Sequence, residues 1–169
     1  MLDKLRQQLV QYGPALLRIP AQFTPFSVQQ KILFETLGRV FKEAAEEGDV
    51  DVLDNRWLKV SIVDLGLSWC ISRENDQWLV AESCPQVDVH FQGQSSDLIL
   101  VAAQKVDPDT LFFQRRLVIE GDTELGLEIK SLMDSVDLST LPAPVQFMLK
   151  QSADFIEKGQ ASAEVQHAH

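Results

Sequence analysis

The hydrophobic positions change period along the chain, and each change marks an element. Leu2, Leu5 and Leu9 recur at helical spacing until Gly13-Pro14, which predicts a short amphipathic helix at the start. An irregular apolar connector, ALLRIPAQFTPFS, is broken by Pro20 and Pro25. Ser27 is placed to cap a longer helix reaching about Glu47, with Leu33, Leu37, Val40, Phe41 and Ala44 on one stripe and Gly48 as its stop. From Arg56 the period falls to two. Leu58, Val60 and Ile62 alternate with Lys59 and Ser61, and Leu67, Trp69 and Ile71 alternate with Ser68, Cys70 and Ser72. Turn residues Asp64-Leu65-Gly66 and Glu74-Asn75-Asp76 punctuate these runs before QWLVAES, and VDVHFQ from Val87 supplies a fourth strand. The pattern predicts an antiparallel meander with one buried and one wet face.

The buried face needs a cover, and helical spacing returns where a cover is required. Ser95-Ser96-Asp97 is placed to cap LILVAAQK, which is apolar nearly all round. Asp107-Pro108-Asp109-Thr110 opens a single turn carrying Leu111, Phe112 and Phe113, with proline where its missing N–H costs nothing. Leu117-Val118-Ile119 reads as a fifth strand. Asp122 or Thr123 caps the next helix, in which Leu125, Ile129, Leu132, Met133 and Val136 share a face. Pro142 and Pro144 precede a last helix to about Lys158, and the small polar tail is expected to be disordered. The expected class is α+β: a five-stranded, mostly antiparallel sheet covered on one face by helices. Residues 1–26 form an apolar extension, 27–158 the domain, and 159–169 the tail.

Composition narrows what such a domain can do. At 169 residues and 45% hydrophobic content, the chain is one domain with a sizeable core. A net charge of -10 argues against nucleic acid, which needs a basic patch. Residues 1–34 hold Lys4, Arg6, Arg18 and Lys31 against Asp3 alone, so a basic, leucine-rich leader precedes an acidic body. That asymmetry fits peripheral contact with an anionic membrane, and equally an ordinary docking helix. Cys70 and Cys84 match neither a zinc pattern nor a disulfide framework, and reduced thiols in the cytoplasm are expected. No apolar run approaches the roughly 20 residues that span a bilayer, and charges interrupt the start where a signal peptide is apolar.

Catalytic groups are scarce. Of three histidines, His167 and His169 sit in the tail and His90 falls on the wet face of a strand, where solvation is expected. No GxSxG nucleophile motif occurs. Asp49, Asp51 and Asp54 lack the glycine and glutamate of a calcium loop and read as a solvated acidic loop. Gly121-Asp122 lacks the glycine density and the lysine or serine of a phosphate cradle. No catalytic residue, metal or cofactor is expected. Apolar segments are abundant instead: ALLRIP, LILVAA, LFF and VQFMLK exceed what a two-layer amphipathic design uses. Such an excess serves a large core, an oligomer interface or an apolar cavity. Arg115-Arg116 beside Phe112-Phe113 suits an anionic head group at a cavity mouth, or a plain salt bridge.

The element order from Phe34 to Val136 resembles the sterol carrier protein 2 (SCP2) lipid-binding family. DPDTLFFQRRLVIEGDTELGLEIKSLMD at 107–134, with MLDKL at the start, TPF at 24–26 and RWL at 56–58, further resembles proteobacterial accessory factors of oxygen-independent ubiquinone biosynthesis. The resemblance implies an apolar tunnel between sheet and helices, with no catalytic residues. The expected lipid-binding residues are Leu98, Val101, Leu111, Phe112, Leu117, Ile119, Leu125, Ile129, Leu132, Met133 and Phe147, with Arg115 and Arg116 for the head group. It implies isoprenoid quinone precursors as ligands, iron–sulfur hydroxylases as partners, and a cytoplasmic protein in peripheral contact with the inner membrane. Gly121-Asp122 then reads as a strand-to-helix corner. A general phospholipid or isoprenoid carrier, a protein-interaction scaffold and an enzyme acting on a lipid head group stand as the rival classes.

Overall fold

The computed structural model describes residues 2–4, 23–136 and 138–168. The helix expected over Leu2, Leu5 and Leu9 and the connector that follows lie largely outside the described residues. Helix α1 spans Phe26–Val40. It starts one residue before Ser27, which therefore does not cap it; the Pro25 carbonyl accepts from the Val28 and Gln29 N–H groups instead. The single helix expected to Glu47 is two, because the backbone leaves helical geometry at Phe41 and resumes as α2, Lys42–Glu47. Gly48 ends α2 in the left-handed conformation that glycine adopts without a Cβ clash. The acidic loop that follows is a 3-10 turn, Asp49–Leu53, whose Val50 and Leu53 are buried.

Five strands follow: β1 Leu58–Ile62, β2 Leu67–Glu74, β3 Gln77–Ala81, β4 Val89–Gly93 and, later, β5 Leu117–Gly121. Their order across the sheet is β3-β2-β1-β4-β5. The expected meander holds through β3 and fails at β4, which pairs parallel with β1, Leu58 opposite Val89. Helix α1 already occupies the flank of β3, where Gln30 Nε2 donates to the Val80 carbonyl at 2.6 Å. The Gln29 side chain also accepts from Trp69 Nε1 at 2.8 Å. The apolar face of β4 is covered between β1 and β5, where Val89 and Phe91 are buried.

The crossover from β3 to β4 corrects a second expectation. Cys70 and Cys84 are joined in a disulfide, with Cα atoms 5.6 Å apart. Residues 82–88 pass back across the sheet, and Cys84 meets Cys70, which alternates with Ile71 and so lies on the opposite face. Spacing along the chain carries no trace of that approach.

The remaining elements cover the apolar face. Helix α3 is Ser95–Ala102, and its first residue is held rather than capping: Ser95 N–H and Oγ both donate to the Asp64 carboxylate in the β1–β2 turn. In α4, Pro108–Phe113, Asp107 caps by accepting from Asp109 N–H and Pro108 takes the first position. Helix α5 is Thr123–Asp134, capped by Asp122, which accepts from Leu125 N–H at 3.0 Å. A 3-10 turn at Leu138–Thr140 leads to α6, Ala143–His167. Residues 159–167 of the tail expected to be disordered are thus helical. They contain no proline, and α6 is anchored on α3 through buried Ala153 and Ile156 against Leu100. Lys105 Nζ, 3.0 Å from Asp154, adds an ion pair at the same contact. The main core joins Leu53, Leu58, Val89, Phe91, Val101, Leu111, Leu117, Leu125 and Ile129.

Candidate functional site

The site is a gap between the sheet and its helical cover. Its floor is the apolar face of the strands: Leu58 and Val60 of β1, Ile71 of β2, Trp78 of β3 and Phe91 of β4. Its roof comes from Leu37 and Phe41 at the α1–α2 break, Leu53 of the first 3-10 turn and Leu98 of α3. Ile129, Leu132 and Met133, one face of α5, complete the wall. Its volume is about 180 Å³, and every lining residue is apolar or aromatic. Apolar cavities of about 150 Å³ stay dry and accept a benzene-sized guest. The break at Phe41 turns that ring inward, 5.9 Å from Trp78, in a tilted aromatic pair. Trp78 also borders an open groove of about 460 Å³ between α1 and β3, which Phe34, Lys31 and Trp57 help to line. The indole therefore stands between the cavity and the surface.

The structure distributes the residues read from sequence among three settings. Leu98, Ile129, Leu132 and Met133 line this cavity. Val101, Leu111, Leu117 and Leu125 are buried in the packed core, with Ile119 against them. Phe112 and Phe147 are exposed. Phe112 packs on Phe113 at 5.7 Å and under the Lys130 ammonium at 4.7 Å. Phe147 lines an open groove between α3 and α6 with Lys105 and Lys150. Arg116 is engaged by the buried Asp97 carboxylate, while Arg115 is exposed at φ 60° in the turn before β5. The floor residues and the α1–α2 contributors were not singled out by sequence, because an inward strand residue reads the same in a solid core and in a cavity wall.

The opposite, polar face of the sheet carries His90. It is half-buried rather than fully solvated, and its Nε2 shares a 2.8 Å hydrogen bond with Ser61 Oγ. Burial, with the Lys59 ammonium nearby, pushes its pKa below the ordinary 6.5, against the opposing pull of Glu120. A lowered imidazole pKa means the unfolded chain binds the proton more readily, so the associated stability is present above about 6.5 and declines as pH falls below it. The stability difference between wild type and His90→Gln, followed by denaturant melts from pH 7.5 to 5, is expected to shrink across that window. A difference constant with pH would remove the reading. Because the cavity lies on the other face, His90→Ala is expected to leave bound lipid unchanged, as measured by extraction of the purified protein.

Residues 34–134 match the SCP-2 sterol transfer family. The chain belongs to this family. Over 163 residues it is 47% identical to the ubiquinone biosynthesis accessory factor UbiT of Escherichia coli K12, a match covering 96% of this chain and 93% of that protein. The UbiT protein of Escherichia coli O157:H7 matches to the same extent. Among solved structures, the UbiJ-SCP2 ubiquinone synthesis protein superposes with a TM-score of 0.55 at 17% identity, covering 65% of this chain and 97% of that one. That likeness establishes the shared fold. The SCP-2 match ends at Asp134, with α5, so α6 lies beyond the matched region. No helix among the described residues is long and apolar enough to cross a membrane.

Proposed function

We propose that the protein is a non-catalytic lipid-binding accessory factor of oxygen-independent ubiquinone biosynthesis. In this reading it holds polyprenylated precursors and presents them to iron–sulfur hydroxylases. The observation that carries the reading is the wholly apolar cavity on the helix-covered face of the sheet. Each CH₂ moved there from water gains about 0.8 kcal/mol, so even part of a prenyl tail or a ring held there stabilises the complex appreciably. The pathway follows from 47% identity to a protein named for ubiquinone biosynthesis, over nearly the whole of both chains. The test is genetic and chemical. Cells lacking the gene should lose most of their ubiquinone when grown without oxygen and little when grown with it, and the plasmid-borne chain should restore the anaerobic level. Unchanged anaerobic ubiquinone in the deletion strain would overturn the assignment.

Delivery to a membrane-embedded pathway needs a membrane contact, and we place it at residues 1–26. Among its described residues, Leu2 is 83% exposed and Phe23 80% exposed, and exposed apolar side chains in a segment with basic residues suit contact with anionic lipid. Full-length protein is expected to float with vesicles containing anionic lipid at low salt, and a Δ1–26 variant to remain behind. Equal flotation of both, or of neither, excludes this role for the leader.

A further inference from the structure

The cavity is too small to hold a whole lipid chain. At about 180 Å³ it is little larger than the space of about 150 Å³ that takes a six-carbon ring, so most of a longer chain lies outside it. Two of its wall residues also border grooves that reach the surface. Leu132 borders one of about 420 Å³ between the first 3-10 turn and α5, which Asp49, Glu128, Ser131 and Ser135 help to line. Trp78 borders the groove of about 460 Å³ between α1 and β3. There Phe34, Trp57, Leu79, Val80 and Ala81 supply the walls, and the one charged lining residue is Lys31. A hydrocarbon chain leaving past Leu132 would strip water from two carboxylates, which is costly. Past Trp78 it meets apolar side chains and aromatic rings.

The groove at Trp78 also continues the cavity along one trough. Ser27, Gln30, Lys31 and Phe34 stand at i, i+3, i+4 and i+7, so a single face of α1 lines the groove. Leu37 and Phe41 carry that face onward and line the cavity. The step from Phe34 to Leu37 is three residues, about 4.5 Å along the helix. On the facing wall, Val80 and Trp78 lie two residues apart on one face of β3, the first in the groove and the second in both spaces. Helix α1 leaves the trough open: of its 15 residues only Val40 is buried. We infer that cavity and groove form one chain-binding site. The methyl end of an apolar chain occupies the cavity, its length passes the Trp78 indole, and its polar end lies at Ser27, Gln30 and Lys31. The lining sets this direction, because every cavity residue is apolar or aromatic while hydroxyl, amide and ammonium stand at the end of the groove furthest from Phe41. This inference rests on the reading of the cavity as a lipid site and adds where the rest of the chain runs and which end enters first.

A chain-length series tests this. Alkyl maltosides from hexyl to tetradecyl, uncharged and each below its micelle-forming concentration, are titrated calorimetrically into the purified, delipidated full chain. About six carbons fill the cavity. A fully buried methylene tightens binding about fourfold, and one lying in an open groove about twofold. Affinity is therefore expected to keep rising past hexyl, by about twofold per added methylene, to dodecyl or beyond. Phe34→Glu sets a carboxylate in the groove at a side chain already 48% exposed. It should cancel the gain beyond hexyl and leave hexyl maltoside within about twofold of wild type. Ser131→Arg fills the rival groove beside Leu132 and should leave the whole series unchanged. An affinity that levels off at hexyl in the wild type would overturn the groove while leaving the cavity standing. So would a gain beyond hexyl that survives Phe34→Glu or disappears in Ser131→Arg. Failure of every chain to bind would overturn cavity and groove together. Should Phe34→Glu not fold, Ala81→Glu on the facing wall takes its place, with the same result expected.

Discussion

Leu132→Trp is expected to empty the protein of lipid while leaving it folded. Leu132 sits at the boundary of two environments, packed against Ala44 and Val50 on one side and lining the cavity on the other. An indole introduced into close-packed interior forces its neighbours apart and costs about 1–3 kcal/mol. Here it has about 180 Å³ of apolar space to enter. The predicted result is an approximately tenfold fall in copurifying lipid, with the thermal midpoint of the lipid-free protein shifted by less than about 4 °C, the equivalent of about 1 kcal/mol in a chain this size. Leu125→Trp is the matching control. Leu125 is 0% exposed in the main core, so the same change there should unfold the domain or lower its midpoint steeply. A Leu132→Trp protein that keeps its full complement of lipid would show that ligand does not occupy this space.

Gly121→Ala should damage the fold more than any single change in the cavity. Gly121 ends β5 at φ 106°, and a Cβ there would stand 2.4 Å from the Asp88 carbonyl oxygen and 3.1 Å from Val89 Cα. Both are backbone atoms with no room to give, because Asp88 is fixed from two sides. Its carboxylate accepts from Trp57 N–H at 2.7 Å, and its carbonyl accepts from Asp122 N–H at 2.9 Å. Positive φ costs an L-residue about 1–2 kcal/mol, and overpacking adds a similar amount. A total of about 3 kcal/mol should lower the thermal midpoint by roughly 6–12 °C. Lipid content per folded molecule should be unaltered, since the corner is not part of the cavity wall. A midpoint within about 2 °C of wild type would show that the β4–β5 end relaxes more freely than this geometry allows.

What could be read from the sequence was whatever is encoded within one element. Alternation placed β1, β2 and β4, turn punctuation and short apolar runs placed β3 and β5, and the i, i+4, i+7 spacing of Leu125, Ile129 and Leu132 located the buried face of α5. Asp107 opened its turn as read, and the cap left between Asp122 and Thr123 is Asp122, because a cap acts two or three residues away. The errors lie where distant segments decide the outcome. The parallel pairing of β4 with β1 follows from α1 lying on the flank of β3, and the disulfide follows from that crossover. For Arg116 the sequence left a head group and a salt bridge open, because the partner that decides for the salt bridge, Asp97, is nineteen residues away on α3. The cavity itself draws on eight helices, strands and turns, so only the share from α3 and α5, Leu98 with Ile129, Leu132 and Met133, was marked in advance.

The most direct test of lipid holding is native mass spectrometry of the full chain purified gently from cells grown without oxygen, followed by extraction and identification of what it carries. The account predicts a protein-plus-ligand species whose extracted ligand is a polyprenylated ring, absent from the Leu132→Trp protein. A bare protein, or one carrying the same lipid with and without the indole in the cavity, would contradict it.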